Sequence, residues 1–121
     1  MDCARAITKT VLYMMDNEKL VGRVVMSSST FYGDTPYDEV KAGVKGFIYS
    51  VNDINPHDEI WYIIFENGIG LDMERRYQKD IKFTGEVLDK KKFINKDYKD
   101  VCEKVKLGAI KIDKRKKKQC Q

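Results

Sequence analysis

Several signatures of familiar chemistry are missing from this chain. It has no Cys-x-x-Cys pair, no His-Glu-x-x-His and no Gly-Lys-Thr or Gly-Lys-Ser, and Gly68-Ile69-Gly70 is too short for a Gly-rich phosphate loop. Cysteine is sparse and odd in number (Cys3, Cys102 and Cys120), and His57 is the only imidazole. That combination argues against a zinc site and a disulfide framework and suits a reducing cytosol. The opening residues DCARAITKTVLYMMDNEK hold neither a basic leader nor a long apolar run, so neither a signal peptide nor a membrane span is expected. His57 is flanked by Asp58 and Glu59, but no Ser or Cys nucleophile stands near it in sequence, and a surface turn accounts for it. With no visible set of nucleophile, base or metal ligands, catalysis and a metal are not expected. The chain has no internal repeat.

What is present is the composition of an ordinary globular domain with a high charge density. The 121 residues fit one domain with a single modest core; 42% are hydrophobic, which excludes disorder throughout. Lys and Arg number 23 against 19 Asp and Glu, a net charge of +4. The run KRKKK, Lys114 to Lys118, alone carries +5, so residues 1–113 are close to neutral. A basic tail over 114–121 is expected, either a solvated, disordered end or a segment that holds nucleic acid by counterion release.

Along the chain, residues 4–15 mix helical spacing with strand-forming residues, and a strand is expected in their second half. Asp16 to Lys19 reads as a turn and Leu20 to Ser28 as a strand, the two strands making a first hairpin. Ser29 to Glu39, with Gly33, Asp34, Pro36 and three aromatics, reads as a long loop. Val40 to Val51 reads as a strand opened by Gly43 and Gly46, followed by a turn over 52–59. Ile81 to Leu88 alternates as a further strand. From Asn95, a plausible N-cap, apolar residues recur every three to four positions, which predicts an amphipathic helix over about 95–113, weakened by Gly108. The expected fold is therefore mainly β with a C-terminal helix, an α+β domain: a small, bent antiparallel sheet or a partly open barrel, capped by the helix.

The central stretch EIWYIIFENGIGLDMERR, Glu59 to Arg76, reads as a hairpin about Asn67-Gly68. A type I′ turn there pairs Glu66 with Ile69, Ile63 with Asp72 and Trp61 with Glu74. Alternation then places Tyr62, Ile64, Ile69, Leu71 and Met73 on a core face. It places Trp61, Ile63 and Phe65 beside Asp72 and Glu74 on the other. Trp and Phe are too large to leave in water, so this face needs a cover. Either the protein itself supplies it, through the C-terminal helix or a second subunit, or a planar ring stacks there with the acids accepting hydrogen bonds. Arg75 and Arg76, followed by Tyr77, offer a guanidinium for phosphate, or are simply solvated strand-end arginines.

A short, lysine- and isoleucine-rich chain with a β-rich body containing GVKGFIY and WYIIFENGIG and ending in a helix resembles the small proteins of phages of low-GC Gram-positive hosts. In size and organisation it is similar to the anti-Thoeris sponge family, which sequesters cyclic ADP-ribose signals. The likeness covers layout across most of the chain rather than a signature motif. The resemblance implies a cytoplasmic, non-enzymatic homo-oligomer that holds a phosphate-bearing nucleotide without a cofactor. Trp61, Phe65 or Tyr77 would stack the base, Arg75, Arg76 or Arg23 would meet the diphosphate, and Asp72 would accept hydrogen bonds. Two other readings are open from the residues: a small basic barrel that binds nucleic acid, and a protein-interaction module that docks a partner or inhibits a host enzyme through its aromatics.

Overall fold

The computed structural model describes residues 19–35, 37–52 and 59–112. Among them, runs of β-branched and aromatic residues form β1 (Arg23–Ser27), β2 (Phe31–Tyr32), β3 (Glu39–Val40), β4 (Lys45–Asn52), β5 (Ile60–Phe65), β6 (Gly70–Met73) and β7 (Ile81–Val87). One α-helix, α1 (Tyr98–Lys106), follows them. The fold is mainly β with a C-terminal helix, as the sequence predicts. Five strands make an antiparallel sheet in the order β6-β5-β4-β1-β7, and β2 with β3 makes a separate hairpin.

The sheet is bent and open, not a barrel. Trp61 on β5 and Phe83 on β7 meet edge to face with ring centroids 5.6 Å apart, although β4 and β1 lie between their strands. A flat sheet would hold those two strands about 14 Å apart. The curvature brings them together and encloses one core on the concave side, where Val25, Ile48, Ile63, Phe65 and Met73 are buried under Val40 of β3 and the half-buried Phe31 of β2. The opposite face carries a second core, in which Val24, Phe47 and Ile64 pack against Phe93 and against Val101 and Val105 of α1. Among the described residues no helix is long and apolar enough to cross a membrane.

Several sequence boundaries shift for local reasons. The stretch read as a loop between Ser29 and Glu39 contains β2 and leads into β3, closed by Gly33 N–H donating to the Asp38 carbonyl at 2.7 Å. The strand expected from Val40 begins at Lys45, because a turn at 41–44 intervenes. β1 is paired on both sides, to β4 and to β7, so it is not half of an isolated N-terminal hairpin. The partner expected for it in residues 4–15, His57 in the 52–59 turn and the basic tail all lie outside the described residues.

The helix is shorter than its apolar spacing suggests. Asn95 adopts a left-handed φ of 61° and does not cap it; Asp97 does, its carboxylate accepting from the Asp100 N–H at 3.4 Å. At the other end Gly108, with φ 82°, stops the helix: Ala109 N–H donates to the Lys104 carbonyl at 2.8 Å and Gly108 N–H to that of Val105 at 3.1 Å. This is a Schellman ending, so Ile110 and Ile112 bury as the chain leaves the helix rather than as part of its face. The two readings of Gly108 differ in sign. A mid-helix glycine replaced by Ala would raise stability by about 1 kcal/mol, whereas a left-handed terminator replaced by Ala costs roughly 1–2 kcal/mol. Gly108→Ala is expected to lower the urea midpoint; a rise would show that the helix runs through this position.

Candidate functional site

The register of β5 with β6 decides which side chains share a surface. Gly68 N–H donates to the Phe65 carbonyl at 2.8 Å, Phe65 N–H donates to the Ile69 carbonyl at 2.8 Å, and Gly68 has φ 84°. Asn67 is not in the left-handed region, as a type I′ turn would require, and its Oδ1 accepts from Ile69 N–H at 3.2 Å. The connection is therefore a three-residue loop, Glu66-Asn67-Gly68, ending in a glycine bulge. Every pair moves by one residue from the register predicted above: Trp61 faces Met73, Tyr62 faces Asp72, Ile63 faces Leu71 and Ile64 faces Gly70.

That single step separates the aromatics from the acid. Trp61, Ile63, Phe65, Leu71 and Met73 now lie together in the concave core, with Trp61 9% and Phe65 0% exposed. The protein covers this face itself, mainly with β2, β3 and Ile81 rather than with α1. Trp61 and Phe65 are thus not presented as a stacking platform. The Trp61 indole N–H donates to the buried Glu59 carboxylate at 2.6 Å, whose other oxygen has no partner.

Asp72 and Tyr62 fall on the face toward α1, with the half-buried Gly70. A β-bulge in β4 helps to furnish the same place. The pairing steps from Ile48 opposite Ile63 to Ser50 opposite Tyr62, so Tyr49 is the extra residue and both it and Ser50 border Tyr62. From α1, Tyr98 sets its ring edge against that of Tyr49, with centroids 5.2 Å apart. Gly70 makes this approach possible, because a Cβ there would overlap the Tyr98 hydroxyl and lie 3.2 Å from the Cys102 sulfur. Tyr49, Ser50, Tyr62, Asp72 and Tyr98 line a hollow of about 400 Å³.

Its polar groups are held as follows. The Tyr49 hydroxyl donates to the Lys96 carbonyl, and Asn52 Nδ2 donates weakly to the Tyr62 hydroxyl at 3.5 Å. The Tyr98 hydroxyl is buried with no hydrogen-bond partner of ordinary geometry, and burial raises its pKa, the nearby Cys102 and Asp72 adding to the rise. The Cys102 thiol is raised by burial too, a rise that hydrogen bonds from the backbone and from the Tyr98 side chain moderate. Asp72 has no ion pair or hydrogen bond with the described residues, and the pKa of its carboxyl is raised, first by partial burial and then by the negative charge of Asp34.

The strand bearing Asp72 is an edge, and other hollows follow it. Thr30, Phe31, Tyr32, Leu71, Asp72, Met73 and Tyr77 enclose about 320 Å³. Tyr32, Gly33, Asp34, Asp38 and residues 70–72 enclose about 260 Å³, and a groove of about 720 Å³ runs from Tyr37 past Gly68 and Gly70 to Lys99 and Lys106 of α1. The structure therefore joins Asp72 and Tyr77, two of the residues singled out from sequence. Arg75, Arg76 and Tyr77 open a 3-10 segment, Arg75–Asp80, rather than continuing a strand, so strict alternation does not sort them. Arg76 pairs with Glu74 at 3.3 Å and lies over the Tyr77 ring at 4.8 Å, and Tyr77 in turn meets the edge of Phe31. The sequence pattern does not single out Tyr49, Ser50 and Tyr98, and it places Tyr62 in the core. The signal that could have found them is Gly70, a residue without a side chain at the point where an amphipathic helix must cross the hairpin. Among the described residues, no group of three or more His, Cys, Asp or Glu is arranged to hold a metal ion. Comparison with protein-family models, with characterised proteins and with solved structures returned no match.

Two outcomes check this placement. Trp61→Ala is expected to cost about 3–5 kcal/mol in denaturant unfolding, as for a core aromatic; a loss below about 1 kcal/mol would return Trp61 to the surface. For Asp72 the folded-state pKa lies above the unfolded one, so ionisation opposes folding: its destabilising effect is absent in acid below the unfolded value and grows as pH rises through the folded one. Asp72→Asn is therefore expected to raise the urea midpoint at neutral pH and to change it less in acid, and equal effects at both would contradict the assignment.

Proposed function

We propose that this protein is a non-enzymatic binding protein that takes up an extended, basic polypeptide segment along the outer edge of β6. The observation that carries this reading is an edge that no described residue covers. In the antiparallel register, Ile69, Leu71 and Met73 turn their backbone groups to β5, while Gly70 and Asp72 turn theirs outward, and no described residue pairs with them. An added strand gains main-chain hydrogen bonds there, and hollows on both sides of β6 receive its alternate side chains. The acids Asp34, Asp38 and Asp72 line the hollow along the middle of the edge, Glu74 and Arg76 beyond them pair with each other, and Lys99 and Lys106 of α1 stand off in the wider groove past Gly70. Basic segments are favoured and acidic ones are opposed.

The far edge of the sheet is guarded in the usual way. β7 pairs with β1 through an irregular register between Arg23 and Val25 and carries Lys82 and Gly85 in its run. β6 has no bulge, lysine or proline.

A second reading rests on the tyrosine hollow: a purine ring against Tyr62 and Tyr98 with an exocyclic amine on Asp72, which is the nucleotide-sequestering role implied by the resemblance above. It has lost Trp61 and Phe65 as stacking groups, and the acids around Asp72 disfavour phosphate. Calorimetry with cyclic ADP-ribose isomers is expected to give no heat; tight, stoichiometric uptake would replace the peptide reading with this one.

The peptide reading is tested with short fluorescent peptides of alternating threonine and arginine, N-methylated one residue at a time. Each edge hydrogen bond is worth about 0.5–1.5 kcal/mol, so affinity is expected to fall severalfold at every second position and little between. Losses with no two-residue period, or no binding of any unmethylated arginine peptide, would overturn strand addition.

A further inference from the structure

We propose that the hollow formed by Tyr49, Ser50, Tyr62, Asp72 and Tyr98 is a cation cage that selects an arginine or lysine, methylated or not, at one position of the segment added to β6. The inference rests on the strand-addition reading for the source of the cation, but the cage chemistry stands on its own observations. Three tyrosine rings from three elements, β4, β5 and α1, converge on one open hollow of about 400 Å³. The negative face of an aromatic ring attracts ammonium and guanidinium groups, and rings set at an angle to one another can close around such a group from several sides. Tyr49 and Tyr98 stand at 65° to one another.

Asp72 supplies the charge that distinguishes a cation site from a simple apolar pocket. Among the described residues its carboxylate takes no ion pair and no hydrogen bond, and Asp34 lies close enough to add to the negative potential. A bound cation relieves both deficits. Lys45 is engaged with Glu86 and Arg76 with Glu74, so neither is the missing partner.

The pocket is rigid where it needs to be. Tyr49 is fixed by its hydroxyl on the Lys96 carbonyl and by its contact with Phe93, whose ring is fully buried. Tyr98 is fixed by the bare backbone of Gly70 against its hydroxyl. Preformed walls lower the ordering cost of binding.

Geometry also places the cage at a defined position of the added strand. The outward N–H and C=O of Asp72 make its opposite number in an antiparallel partner a hydrogen-bonded pair, and directly opposed residues share a face of the sheet. The partner residue opposite Asp72 therefore points its side chain to the face that holds Tyr62 and Tyr98. Its flanking neighbours point to the other face, toward Phe31, Tyr32 and Tyr77.

The test has two arms that separate the cage from the edge. In the first, the free probes tetramethylammonium, methylguanidinium and the uncharged tert-butanol are titrated while the ring resonances of Tyr49, Tyr62 and Tyr98 are followed by NMR. Saturable shifts of all three tyrosines with the cations, absent with tert-butanol and weakened about tenfold or more by Asp72→Asn, are expected; equal response to the uncharged probe, or no response, overturns the cage. In the second, the alternating peptides carry one arginine replaced by glutamine at each position in turn. One position is expected to lose about tenfold in affinity, and Tyr62→Leu is expected to abolish that preference while leaving the two-residue N-methyl period intact. Uniform losses at every arginine overturn the cage but leave strand addition standing, whereas saturating cation shifts with no peptide binding leave the cage standing and remove its peptide. Tyr62→Phe, which keeps the ring and loses the hydroxyl, is expected to retain the preference, so a general loss of folding in Tyr62→Leu is recognised by comparison.

Discussion

Two backbone hydrogen bonds at one turn govern the rest of this molecule. Gly68 N–H to the Phe65 carbonyl and Phe65 N–H to the Ile69 carbonyl close a three-residue loop where two residues would also have fitted the sequence. Because side chains alternate along a strand, one residue of slip exchanges the two faces of β6 completely. In the observed register Leu71 and Met73 join Trp61, Ile63 and Phe65 in a core of apolar side chains, and Asp72 points the other way. The alternative would set Asp72 and Glu74 against Trp61 and Ile63, where a carboxylate without a partner costs several kcal/mol. Turn geometry and burial choose the same register, which is the agreement between levels expected of a well-specified fold.

The seating of α1 follows from that choice. With Ile64 opposite Gly70, the position under the helix has no side chain, and Tyr98 and Cys102 pack onto its bare backbone. Gly68 performs the same service one turn further along, where a Cβ would lie 3.1 Å from the Cys102 carbonyl and collide with Lys106. The residue that permits the left-handed step of the loop also lets the helix lie against it. A two-residue turn would bring Leu71 up beneath Tyr98 and lift the helix away. The bulge at Tyr49, in the pairing of β4 with β5, adds the third ring, so the tyrosine hollow is assembled from a turn and a helix set by the hairpin register and a bulge beside it.

What could be read from the residues divides along the same line. Strand content, the terminal helix and the bend of the sheet follow from local pattern and were legible, because alternating β-branched residues and a three-to-four residue recurrence need no knowledge of partners. The helix limits were less so: Asn95 and Asp97 are both good caps, and Gly108 reads equally as an interruption or an ending until Ile110 and Ile112 are seen to bury beyond it. Of the site, Asp72 and Tyr77 were legible and Tyr49, Ser50 and Tyr98 were not, since they come together only through pairings between distant strands and across the helix. Trp61 and Phe65 looked like ligand-facing groups only because the two-residue loop put acids beside them. The three-residue loop keeps Asp72 and Glu74 off the face of Trp61 and Ile63, a difference in buried charge that the residues themselves carry.

The chemistry of the β6 edge follows from what the fold leaves over once its cores are satisfied. Trp61 and Phe65 are buried beneath β2, β3 and Ile81, so the aromatic surface that remains beside β6 is tyrosine, whose hydroxyls tolerate water: Tyr32 and Tyr37 are 65% and 91% exposed, and Tyr77 39%, while the exposed Phe83 lies on β7 at the other edge of the sheet. The acids that remain, Asp34, Asp38 and Asp72, lie with them along a strand whose outer hydrogen-bonding groups no described residue pairs. An open edge invites other strands of any kind, and lysine is a common guard against indiscriminate pairing. Here the guard is acidic: it turns away segments rich in Asp and Glu and leaves the edge open to basic ones. Selectivity by sign of charge and affinity by main-chain pairing can therefore reside in the same four-residue strand.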